Sequence, residues 1–176
     1  MADLVKEWEN EKTVLDLLKA AQIEYTVFRH QPVFTTAERP VLIDSGDVVE
    51  LPGLSSKNLF LKNTKNNTFF LVSVTQDKRV DLKALSKILG TARFSFGKPE
   101  ELFELLRLQP GSVSPFGLIF DTDNKVSFVM DEDFLSATKI QFHPMRNDMS
   151  LVLSPTDFIA FMRQINHQPQ IIRIPI

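Results

Sequence analysis

The chain has 176 residues, 43% hydrophobic and 24% charged, a balance that suits one globular domain with a real core and excludes disorder and fibrous repeats. A net charge of −2 disfavours a wide face for gripping duplex DNA, and the absence of Cys removes disulfides, thiolate nucleophiles and cysteine-based zinc sites together. The opening M-A-D-L-V-K-E-W-E-N carries three carboxylates and no apolar run, unlike a signal peptide, and the longest apolar runs fall far short of the roughly 20 residues of a membrane span. A soluble cytoplasmic protein with no membrane partner is expected.

Asp3 is placed to cap a helix reaching about residue 21, with Leu4, Trp8, Leu15 and Leu18 at helical spacing. Y-T-V-F-R-H (25–30) is β-rich and predicts a first strand. In T-T-A-E-R-P-V-L-I-D-S-G-D, Pro40 and Gly46 punctuate a loop with room for a short helix from Thr36. Residues 59–61 and 68–74 flank K-N-T-K-N-N and predict a hairpin with a polar turn. D-L-K-A-L-S-K-I-L-G (81–90) predicts a helix with Leu82, Leu85 and Leu89 on one face and Gly90 as its stop. Phe94 and Phe96 alternate in a short strand, and Pro99-Glu100-Glu101 opens a helix with its acids at the favourable dipole end. Strands are predicted around G-L-I-F, K-V-S-F-V-M and K-I-Q-F between 111 and 142, and again at 150–153. Ser154 with Pro155 starts a last helix. The tail H-Q-P-Q-I-I-R-I-P-I (167–176) is apolar but broken by prolines, either an extended arm or a partner contact. The sum is a single mixed α/β domain over 1–176.

Most signatures of chemistry are missing. There is no phosphate loop and no dinucleotide fingerprint. G-S-V-S-P (111–115) is not a nucleophile elbow, because Pro follows the second Ser. D-T-D-N-K (121–125) starts like a calcium loop, but Lys125 stands where a ligand oxygen belongs, so a hairpin turn is expected. M-D-E-D-F (130–134) suggests a solvated acidic turn. His30, His143 and His167 have no zinc spacing, so neither a metal nor another cofactor is expected. Lys57, Lys62 and Lys65 form either a small basic site or a solvated strand edge kept soluble by lysine. Spacing alone leaves Lys57, a cation at the entry of an apolar strand, to be explained.

Six short segments in order change this picture: F-T-T-A-E (34–38), G-L-S-S-K-N-L-F-L-K-N (53–63), R-V-D-L-K-A-L (79–85), G-S-V-S-P-F-G (111–117), F-H-P-M-R-N (142–147) and L-S-P-T-D-F-I-A-F (153–161). Together they resemble the YbaK-type aminoacyl-tRNA deacylases, and within these the freestanding prolyl-tRNA synthetase-associated domains. The resemblance implies a mixed, largely antiparallel sheet flanked by helices, and hydrolysis of Ala-tRNA(Pro) by water, without a protein nucleophile or a metal. A synthetase pocket rejects a smaller side chain by only about 1–3 kcal/mol, so a second sieve is needed.

By the same resemblance, Lys57, Gly111 and His143 belong to the reaction centre. Lys57 would hold the terminal adenosine, Asn58 would support Lys57, and His143 would limit the size of the aminoacyl group. Ser112, Val113, Ser114 and Pro115 of the G-x-x-x-P loop, with Phe34, Thr35 and Lys62, would complete substrate binding. The implied partner is the acceptor end of mischarged tRNA(Pro), with prolyl-tRNA synthetase as a candidate second partner; the chain is expected to act as a monomer and not on DNA. Three alternatives stay open: a deacylase for Cys-, Ser- or Thr-charged tRNA, a non-catalytic tRNA- or synthetase-binding accessory, and an unrelated α/β protein.

Overall fold

The structure is a computed structural model; it describes residues 2–34, 41–44 and 47–176, with side chains described for 9–34 and 50–176. Helix α1 (Ala2–Ala20) leads into β1 (Thr26–Arg29), followed by β2 (Val41–Asp44) and β3 (Asp47–Glu50). Next come β4 (Ser56–Asn63), β5 (Phe69–Thr75), α2 (Leu82–Ile88), β6 (Phe94–Phe96) and α3 (Pro99–Leu106). A 3-10 helix (Pro115–Phe120) precedes β7 (Val126–Asp131), and a second (Glu132–Ser136) precedes β8 (Ile140–Phe142). The chain ends with β9 (Met149–Leu153), α4 (Pro155–Gln164) and β10 (Gln170–Ile172).

Among the described residues the strands form three sheets. The largest has five strands in the order β10-β7-β5-β4-β6, parallel at β10/β7 and β7/β5 and antiparallel at β5/β4 and β4/β6. A three-stranded antiparallel sheet runs β1-β9-β8, and β2 pairs with β3 alone. Strand alternation divides the large sheet's two faces. Phe60 and Leu71 face a main core built on Phe116, Phe128, Phe142, Phe158 and Phe161, while Leu61, Val72 and Val74 face a smaller core completed by Leu85 and Ile174. Phe142 stacks on Phe158 with ring centroids 4.5 Å apart, and Phe116 meets both edge-on. Burying each such ring contributes about 1.5–3 kcal/mol, and together they hold α4 against the strands that carry the site.

Helices start and stop as their residues dictate. Asp81 caps α2 by accepting from the Ala84 N–H at 2.9 Å, and Ser154 caps α4 by accepting from Asp157 at 3.1 Å. Gly90 follows α2 with φ of +66°, the left-handed conformation in which glycine ends a helix. The tail is an extended arm: β10 adds to β7 in parallel, Ile174 is buried, and the Pro175 carbonyl accepts from the Asp81 N–H at 2.9 Å.

Several expectations need correction. Helix α1 begins at Ala2, which puts Asp3 in its first turn rather than at its cap. The side chains of Leu4 and Trp8, and the short helix from Thr36, lie outside the described residues. Residues 41–44 and 47–50 pair as antiparallel strands rather than lying in a loop. G-L-I-F is no strand: Ser114 caps and Pro115 opens a 3-10 helix, and the apolar run is buried by coiling instead of pairing. D-T-D-N-K turns the chain from that helix into β7, not between two paired strands. The buried Asp121 accepts from the backbone N–H groups of Lys125 and Val126 and binds His167 Nε2 at 3.0 Å. The M-D-E-D-F turn is not fully solvated, because Asp131 is completely buried against Lys78.

Candidate functional site

A cleft of about 220 Å³ opens where β4 begins. Ser55, Ser56, Lys57 and Asn58 form its floor at the entry of β4, with Gln76 beyond the end of β5. Val33, Phe34, Gly111 and Val113 also line it, with Gly111 close to the Phe34 backbone; Gln141 and Phe142 of β8, His143 just after β8 and Ser150 of β9 complete the lining. Six of the residues singled out from the sequence therefore meet: Phe34, Lys57, Asn58, Gly111, Val113 and His143. Lys62 does not. It lies at the far end of β4, paired with Glu101 and above the Phe69 ring. Ser112, Ser114 and Pro115 are buried beneath the loop and do not line the cleft, and Thr35 lies outside the described residues.

Local chain chemistry shapes each wall. Lys57 is the second residue of β4, opposite Val74, and alternation sends Asn58 to the other face, opposite Ser73. Asn58 makes its bonds there. Its amide donates to the Val113 carbonyl at 3.2 Å, and its side-chain oxygen accepts a short hydrogen bond from the Ser73 hydroxyl. Asn58 thus pins the 111–115 loop to the sheet, a different task from the expected support of Lys57. Gly111 has φ of +89°, a conformation that L side chains rarely adopt, so the loop's turn depends on glycine. Its other end is fixed by Ser114, whose hydroxyl oxygen accepts from the Phe116 N–H at 3.2 Å.

Gln141 holds the floor. Its buried side-chain amide nitrogen lies 3.1, 2.9 and 3.0 Å from the carbonyl oxygens of Leu51, Pro52 and Gly53, and the Gln141 backbone carbonyl accepts from the Ser56 hydroxyl at 2.7 Å. A side chain at Gly53 would meet the Lys139 backbone at 3.1 Å in addition to straining φ, so the approach to β4 also requires glycine. The connection carrying His143 is held from outside. Arg146 makes a bidentate pair with Asp148 and donates to the buried Glu11 of α1 at 2.7 Å.

The family model of the aminoacyl-tRNA editing domain matches residues 47–161, which span the cleft's floor, loop and His143. The chain belongs to this family. It is 36% identical over 159 residues to prolyl-tRNA synthetase associated domain-containing protein 1 of Bos taurus, covering 88% of this chain and 90% of the relative. It is 33% identical over 147 residues to prolyl-tRNA editing protein ProX of Acetoanaerobium sticklandii, covering 83% and 86%. A solved structure described as a candidate trans-editing enzyme for prolyl-tRNA synthetase superposes with a TM-score of 0.69 at 19% identity, over 95% of this chain and 97% of its own, a likeness of fold.

In this editing domain the cleft's titratable groups are tuned by burial. Desolvation pulls the Lys57 pKa below the ordinary lysine value, against the opposing charge of Asp77. His143 is also lowered, first by burial and further by His30, while its bond to the Met149 carbonyl and the charge of Asp148 work the other way. Because that carbonyl can only accept, His143 Nδ1, 2.8 Å away, carries the proton and Nε2 keeps a lone pair. A lowered folded pKa has a defined sign in stability. The unfolded chain takes up the His143 proton once pH falls below about 6.5, so the neutral ring's contribution is complete above that value and shrinks below it. The denaturation midpoint of the wild type is expected to fall between about pH 7.5 and 5.5, and to fall less in His143→Gln. Equal slopes in the two proteins would contradict the assignment.

Spacing rules missed Ser55, Ser56, Gln141, Ser150 and the neighbouring His30. The sequence signal for Ser150 was its place in a buried strand beside His143's segment, where a polar residue needs a partner. Among the described residues, no group of three or more His, Cys, Asp or Glu could hold a metal ion, and no helix is long and apolar enough to cross a membrane.

Proposed function

We propose that this domain hydrolyses the ester of mischarged Ala-tRNA(Pro), and that the cleft at the entry of β4 is where it does so. The observation that carries the reading is the convergence of Lys57, the 111–113 backbone and His143 on one small cavity. Its volume of about 220 Å³ is below the roughly 300–1,000 Å³ of sites for drug-sized ligands, which suits a small aminoacyl group on the end of a long substrate. The name of the ProX relative supplies the tRNA.

Lys57 acts as a compact point charge on a ribose hydroxyl or phosphate of the terminal adenosine. The loop, fixed by Asn58 and Gly111, offers backbone groups to the aminoacyl carbonyl as it becomes an oxyanion. Water attacks, oriented by the vicinal hydroxyl of the same ribose. His143 forms a wall: proline is larger than alanine and offers more apolar surface, so it must be refused by steric exclusion. Localisation in the cytoplasm, where charged tRNA is used, belongs to the same proposal, as does action as a monomer with prolyl-tRNA synthetase as a second partner.

The reading draws on no metal. Purified protein dialysed against EDTA is expected to deacylate Ala-tRNA(Pro) at the rate of untreated protein. Loss of activity on chelation, restored by zinc or magnesium, would sink the water-only scheme, and absence of deacylation before and after would sink the function.

A further inference from the structure

We propose that Ser150 and His30 form a proton relay for the attacking water, an inference that rests on the deacylase reading above. His30 Nδ1 lies 2.7 Å from the Gln31 carbonyl, which can only accept, so this nitrogen bears the proton. Nε2 then carries a lone pair, 2.9 Å from Ser150 Oγ, and accepts the Ser150 hydroxyl proton. Ser150 lines the cleft while being almost wholly buried. Its hydroxyl has one donor, committed to His30, and its oxygen is left to accept from a water in the cleft. This is the geometry of an activated hydroxyl: a base within hydrogen-bond reach, and a third group that fixes the base's tautomer.

The reaction needs such a base. The vicinal ribose hydroxyl can orient water and pass a proton on, but it does not retain one at neutral pH. His30 Nε2, with its lone pair 2.9 Å from Ser150 Oγ, is placed to take that proton. Water's oxygen adds to the ester carbonyl carbon, one water proton passes to Ser150 Oγ, and the serine's own proton passes to His30 Nε2. The tetrahedral adduct then collapses. Its bond to the ribose oxygen breaks, and the proton returns through Ser150 to that oxygen, which leaves as a hydroxyl. Free alanine and intact tRNA result, with no acyl-protein intermediate. His143, whose ring centroid is 6.0 Å from that of His30, remains a wall of the cleft beside the relay.

The test is single-turnover deacylation of Ala-tRNA(Pro) by wild type, Ser150→Ala, His30→Gln and the double variant. Glutamine still offers Ser150 an acceptor but cannot take up its proton, so a loss in His30→Gln reports proton transfer rather than a missing hydrogen bond. Each single variant is expected to lower the maximal rate constant roughly 100-fold, with the enzyme concentration at half-saturation within about twofold of wild type. The double variant is expected to be no slower than the slower single, because the two groups act as one unit. The relay is overturned if either folded single variant keeps a rate within about threefold of wild type, if the losses multiply in the double variant, or if they appear in saturation instead. Should Ser150→Ala fail to fold, His30→Gln decides alone. A wild type that leaves Ala-tRNA(Pro) intact overturns both this inference and the function; an active wild type beside unaffected variants overturns this inference only.

Discussion

Replacing Lys57 with alanine is expected to lower kcat/KM for Ala-tRNA(Pro) hydrolysis by roughly 10- to 150-fold, the equivalent of one charge-assisted hydrogen bond of about 1.5–3 kcal/mol. Lys57 lines the cleft from the second position of β4. Burial opposes its charge and lowers its pKa, with the charge of Asp77 working the other way. Lys57→Met keeps the apolar stem, removes the charge and is expected to lose as much activity as Lys57→Ala. Thermal midpoints should stay near wild type, because β4 is held by its pairing with β5 and by Leu59 and Leu61 in the smaller core. Full activity in Lys57→Met, or unfolding of both variants, would make the lysine structural.

Lys78→Ala is expected to destabilise the fold by about 3–5 kcal/mol, because it leaves a buried carboxylate without its cation. Asp131 has no exposed surface, and Lys78 Nζ lies 2.8 Å from one of its oxygens and 2.8 Å from Asp133. Burial works against the charged ammonium, but the bonds and charges of Asp131 and Asp133 prevail and hold the Lys78 pKa above the usual lysine value. A domain of ordinary stability has about 5–15 kcal/mol in all, so the loss should move the denaturation midpoint far. Lys62→Ala breaks a partly exposed pair with Glu101 and should cost no more than about 1 kcal/mol. Similar midpoint shifts for the two variants would show that the Asp131 pair behaves as a surface pair.

The two lysines also show what the sequence disclosed and what it hid. Periodicity and caps were enough for α2, α3, α4 and the β4–β5 hairpin, because Asp81, Pro99 and Ser154–Pro155 mark helix starts by local chemistry and the polar K-N-T-K-N-N marks the turn, although its first two residues still belong to β4. The run G-L-I-F failed because four apolar residues read alike as a strand or as a buried coil, and only the packing of Phe116 and Leu118 decides. The pairing of β2 with β3 was hidden by Pro40 and Gly46, whose loop signal outweighed V-L-I and V-V. Charge was misjudged wherever a distant partner sets burial: nothing near Asp131 in the sequence announces Lys78, 53 residues away.

At the site, the family segments brought Lys57, Gly111, Val113 and His143 to notice, and the cleft gathers them. They could not separate residues that line the cavity from those that support it. Ser112, Ser114 and Pro115 share a motif with Gly111, yet a tight loop turns some side chains inward to the core. Asn58 follows Lys57 directly, and the period of two in a strand sends it to the loop instead. Gln141, His30 and Ser150 are held by contacts made across 85 to 120 residues of chain, a separation that no local pattern records.

The most direct test of the central claim is single-turnover deacylation of tRNA(Pro) charged with alanine or with proline, by the same protein at the same concentration. The cleft is predicted to clear Ala-tRNA(Pro) at least about 100-fold faster than Pro-tRNA(Pro), since a rigid wall that excludes the larger side chain discriminates beyond what attraction can. Equal rates on the two substrates, or hydrolysis of neither, would contradict the account.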